Sequence, residues 1–142
     1  MELGTFGAIL TFALELEERL TNFFAAAAKQ AGGEAAEVFS DLAQAGGKRL
    51  KALERTRREN VAEMILEPIT GFCSEDYPCD TEVTSGADRA ALIKKALELE
   101  KTAAQYYTTA SQKVSVPEVA RILSKMAGQH AEQLEALQGL GK

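Results

Sequence analysis

Ala13-Leu14-Glu15-Leu16-Glu17, followed by Asn22-Phe23-Phe24, returns 83 residues later as Ala96-Leu97-Glu98-Leu99-Glu100 and Gln105-Tyr106-Tyr107. A weaker echo follows each copy. Ser40, Ala43, Leu50, Ala52 and Leu53 line up with Ser124, Ala127, Leu134, Ala136 and Leu137, at an offset of 84. Apolar residues in each copy recur three and four apart, the period of a helix with one buried face. The register survives two helices per copy, so the simplest arrangement is a duplicated helical hairpin.

The breaks in the chain fall where this arrangement needs them. Gly32-Gly33 makes a short loop, so the helices on either side are antiparallel neighbours. The periodicity predicts helices over about 4–30, 34–66, 86–114 and 116–138 in a single domain, 1–142. Ser85 is the expected N-cap of the third, and Ser115-Val116-Pro117-Glu118 reads as a capping box opening the fourth, which Gly139 ends. Between the hairpins lies a connection, 67–84, with Pro68, Pro78, Cys73 and Cys79. A loop this long needs a task, and crossing the length of a bundle is one; extended, it reaches about 60 Å. The expected fold is an all-α four-helix bundle: two antiparallel hairpins and one long crossover.

Composition agrees and excludes alternatives. Ala, Glu, Lys, Leu and Arg make up just over half of the 142 residues, and Trp is absent. A net charge of −5 without a basic cluster argues against nucleic acid. No apolar run reaches the length of a membrane span, and the first residues lack the basic start of a signal peptide. A cytoplasmic setting is expected, where Cys73 and Cys79 are free thiols. Phosphate-binding loops and nucleophile motifs are missing.

Chemistry is concentrated on the inward stripes. Glu17 lies between Ala13, Leu20 and Phe24, and Glu100 between Ala96, Ala103 and Tyr107. On the second helix the inward positions are Gly46, Arg49 and Leu50; on the fourth they are His130, Gln133 and Leu134. Glu17 stands 15 residues before Gly32, and Arg49 17 after it. Glu100 stands 15 residues before Ser115, and His130 and Gln133 stand 15 and 18 after it. Helices that rise equally per residue keep such positions level, so one polar layer near mid-bundle is expected. The stripe Glu59, Glu63 and Glu67 reads as a solvated face.

On these residues the chain resembles the ferritin-like superfamily, specifically its rubrerythrin branch, over nearly its whole length. That family sets a Glu on the first and third helices and a Glu-x-x-His on the second and fourth, around two iron or manganese ions. The Glu-plus-aromatic-pair pattern matches at Glu17 with Phe23-Phe24 and at Glu100 with Tyr106-Tyr107. The Glu-x-x-His positions depart from it: Gly46-Gly47-Lys48-Arg49 and His130-Ala131-Glu132-Gln133 stand there.

Two readings of the layer follow. In the first, Arg49 pairs with Glu17 and Glu100 and replaces the metal; no cofactor is bound, and the protein is a non-enzymatic binding or structural bundle. Gly46 then leaves room for that side chain or for an aromatic ring; the Gly46-Gly47 pair reads equally as close helix packing or a local kink and as a ligand-sized pocket. In the second, Glu17, Glu100 and His130, assisted by Gln133, hold a single iron, manganese or zinc ion in a metal-dependent oxidoreductase of peroxide, oxygen or iron handling. The superfamily's habits imply a homodimer; a protein or small-molecule partner is left open.

Overall fold

A computed structural model describes residues 2–60 and 69–140. Helix α1 spans Phe6–Ala31, α2 Gly33–Glu59, α3 Arg89–Lys113 and α4 Pro117–Leu140; one 3-10 turn, Ser74–Asp76, lies in the crossover. α1 lies along α2 and α3 along α4, whereas α1 meets α3, and α2 meets α4, over much shorter stretches. The chain is therefore two tight hairpins set face to face. Their inner faces supply a core that includes Phe23, Phe24, Phe39, Tyr106 and Tyr107.

The crossover runs the length of the bundle, as the duplication requires. Near one end, Leu3 N–H donates to the Phe72 carbonyl and Ile69 N–H to the Gly4 carbonyl, both at 2.8 Å. Further along, Arg19 Nη2 donates to the Cys79 carbonyl. At the other end Gln30 Nε2 reaches the carbonyls of Thr84 and Ala87, at 3.0 and 2.9 Å. Residues 69–87 thus descend beside α1 in step with it. Tyr77 and Phe72 close over Tyr106, whose hydroxyl donates to the Ile9 carbonyl at 2.6 Å. Cys73 and Cys79 are unpaired. Burial pushes the Cys79 thiol up to about 11, although Arg19 pulls the other way.

Several boundaries differ from the sequence reading. α1 begins two residues late because Gly4 is tied to Ile69 and Thr5 takes the cap, its Oγ1 accepting from Ala8 N–H at 3.1 Å. α3 starts at Arg89, not near Ser85. Gly86 has φ of 83°, which places a turn where the first helical turn was expected, and Asp88 caps instead, accepting from Ala91 N–H at 2.9 Å. α4 runs through Gly139, because Leu140 is buried and its carbonyl accepts from Arg89 Nη2. α2 is capped by Asn60; its expected continuation over 61–66, with Val61, Glu63 and Met64, lies outside the described residues, as does Glu67. Leu50 and Leu134, expected inward, are half-exposed. No described helix is long and apolar enough to cross a membrane.

Candidate functional site

The expected layer forms, with at least one polar side chain from each helix. Glu17, Glu100 and His130 have no solvent exposure, and Arg49 has 5%. Burying four ionisable groups is costly unless each finds opposite charge and hydrogen bonds. Their contacts meet that demand atom by atom. Glu17 Oε2 accepts from Arg49 Nε at 3.0 Å. Glu17 Oε1 accepts from the Tyr107 hydroxyl at 2.9 Å and faces His130 Nε2 at 2.5 Å. Glu100 Oε2 faces His130 Nδ1 at 2.6 Å, and its Oε1 accepts from Gln133 Nε2 at 2.9 Å. Tyr107 stacks on the imidazole with ring centroids 5.4 Å apart and planes 9° apart.

Both ring nitrogens of His130 point at carboxylate oxygens, which only accept, so the ring is set to donate twice. Burial alone would lower its pKa. The hydrogen bonds and charges of Glu100 and Glu17 outweigh burial and raise it to about 9. Burial would likewise raise Glu17, but His130 and then Arg49 hold its carboxyl below the ordinary value. Tyr107 is pushed well above the ordinary phenol value by burial and by the adjacent Glu17. At neutral pH the imidazolium of His130 therefore stands, with the Arg49 guanidinium, against the side chains of Glu17 and Glu100.

Two expectations need correction. Arg49 does not pair with Glu100 among the described residues. Its Nη1 turns to the side-chain oxygens of Gln133 and Gln129, at 2.9 and 3.4 Å, and Gln133 relays between Arg49 and Glu100. The direct cation on Glu100 is His130. Second, of the alternatives for Gly46, room for Arg49 or for an aromatic ring gives way to close helix packing. A Cβ built there would stand 2.1 Å from Thr21 Oγ1, so the glycine admits a side chain of the neighbouring α1. Gln129 was missed by the sequence reading, although it lies one turn before Gln133 on the same face.

A second feature is a groove between α2 and α4, of about 800 Å³. Arg49, Gln129 and Gln133 form its polar middle, and Leu42, Ala52, Ile122 and Met126 are among its apolar lining. It exists because α2 and α4 are held by their own hairpins and scarcely touch each other. Glu17, Glu100 and His130 carry the ligand chemistry of the layer. Among the described residues, however, no three His, Cys, Asp or Glu side chains are disposed to hold a metal ion.

No protein-family model matches the chain, and no curated protein matches it either. Among solved structures it is similar to a protein of Thermotoga maritima, whose crystal structure bears the provisional description of a ferritin-like diiron-carboxylate protein. The two share 19% identity and a TM-score of 0.77, over 96% of this chain and 94% of that one. With the duplicated hairpin and end-to-end crossover, this likeness gives the chain the ferritin-like fold.

Proposed function

We propose that this chain is a metal-independent bundle of ferritin-like fold that acts by binding rather than by di-iron chemistry. The observation that carries the reading is the placement of Arg49 and His130 against Glu17 and Glu100. Two dications would bring four positive charges to a layer with two carboxylates and a resident guanidinium. Such an excess is prohibitive where water is excluded. A di-metal centre therefore does not fit these residues. A single ion fits little better, since His130 would have to surrender a carboxylate and its proton to offer a lone pair.

The ion pairs do in this bundle what metal ligation does in a di-metal one: they tie four helices at one height. Removing one partner strands a buried charge, at a cost of about 3–5 kcal/mol. The test is metal content. Protein made in iron- and manganese-supplemented medium should carry far less than one ion per chain, and its melting should not respond to chelator. Stoichiometric metal, lost together with stability on chelation, would refute the reading.

A further inference from the structure

We infer that the groove between α2 and α4 is a binding site for a small organic carboxylate with an unbranched apolar tail. The inference rests on the metal-independent reading, because it needs Arg49 to remain in the layer. Arg49 spends Nε on Glu17 and Nη1 on Gln133 and Gln129; Nη2 makes no hydrogen bond among the described residues. That nitrogen is not sealed in the core. Among the described residues, the fully buried side-chain nitrogen or oxygen without a partner is Thr21 Oγ1. Arg49 lines the groove, the space to which an unsealed donor of this side chain is open.

Gln129 adds to this. Its oxygen is turned to Arg49, which leaves its Nε2 without a partner among the described residues. The middle of the groove thus presents two unspent donors, one of them on a cation that is nine-tenths buried. A carboxylate matches them with its two oxygens, and a guanidinium binds carboxylates with favourable geometry. Toward the Thr56 end, the half-exposed Ala52 and Ile122, backed by the buried Met126, offer apolar surface over about 10 Å of helix axis, room for a short alkyl chain. The charged side chains along the groove are Lys48, Arg55 and Lys125 against Glu59, Glu118 and Glu132, none of them in an ion pair among the described residues. These six cancel, so the recognition of an acid falls to hydrogen bonds from the two open donors, Arg49 Nη2 and Gln129 Nε2, and not to a surplus of positive charge.

The experiment titrates octanoate and, separately, octanol into the purified full chain, by calorimetry, with metal content measured on the same sample. Octanoate should bind one per chain and at least tenfold tighter than octanol. Gln129→Glu leaves an acceptor for Arg49 but replaces the free donor with a negative charge. It should weaken octanoate at least tenfold and leave octanol unchanged. Ala52→Phe, which fills the apolar half without touching the layer, should weaken both. Equal binding of acid and alcohol, or octanoate binding indifferent to Gln129→Glu, would overturn the inference. No binding by metal-free protein would overturn it too while leaving the metal-independent reading intact. Stoichiometric metal in the sample would refute both.

Discussion

His130 Nε2 lies 2.5 Å from Glu17 Oε1, joining α4 to α1 across 113 residues of chain, while the other ring nitrogen holds Glu100 on α3. One proton on this ring therefore ties three helices. Its folded-state pKa, about 9, is above the ordinary 6.5. The stabilisation is thus complete below 6.5 and is lost as pH rises through about 9. We expect unfolding free energy to fall across that window by on the order of 3 kcal/mol. Urea titrations at a series of pH values measure it, and His130→Gln should abolish the slope. A wild-type protein whose stability is flat from pH 6.5 to 9 would contradict the two-carboxylate clasp.

Glu17 works in the opposite direction. Its folded-state pKa is held below the ordinary 4.5, so its contribution is present above that value and lost as pH falls through the lower folded one. Glu17→Gln removes the anion at every pH and leaves Arg49 and His130 facing one carboxylate. The expected cost is about 3 kcal/mol, and the metal-independent reading requires it to be unchanged by chelator. Replacing all four buried ions with apolar residues together, Glu17→Leu, Arg49→Met, Glu100→Leu and His130→Leu, should cost less than Glu17→Gln alone. Chemical denaturation of the variants decides the order.

The layer was legible in the sequence because helical rise is constant. Counting equally from Gly32 and from Ser115 brings Glu17, Arg49, Glu100 and His130 to one height without any knowledge of packing. What counting cannot supply is rotation about each helix axis. That is why the sequence reading gave Arg49 to both carboxylates, when Gln133 and His130 divide Glu100 between them. The groove was hidden for a related reason. Ile122 is an ordinary inward position by its spacing, and only the separation of α2 from α4 leaves it half-exposed beside the groove. The crossover was legible in length and direction, but its hold on α1 depends on backbone carbonyls, which leave no mark in a sequence.

The start of α3 poses the same problem on a local scale. Ser85 and Asp88 both carry capping chemistry, and the positive φ of Gly86 decides between them. Asp88→Ala should lower stability by about 1 kcal/mol, whereas Ser85→Ala should fall within about 0.5 kcal/mol of wild type. Thermal unfolding of the two variants distinguishes the caps directly. Equal losses would mean that the helix begins earlier than Arg89.

Gly46 and Thr21 form a pair whose energetics can be separated by a mutant cycle. Glycine inside α2 costs about 1 kcal/mol relative to alanine, so the position has to return something in packing. What it returns is the close approach of α1: an added Cβ would meet Thr21 Oγ1 at 2.1 Å and Thr21 Cβ at 3.3 Å. Gly46→Ala alone must turn the threonine or push the helices apart, and we expect it to destabilise by about 1–2 kcal/mol. Thr21→Ala removes the colliding oxygen, which is itself buried without a partner. With Thr21→Ala in place, the alanine at 46 meets only the Cβ of residue 21, at 3.3 Å, a close contact that the helices relieve by shifting a few tenths of an ångström, and it keeps its helix propensity. The double variant should therefore recover most of the Gly46→Ala loss, a coupling outside additivity. Additive losses in the cycle would show that Gly46 serves something other than the seat of Thr21.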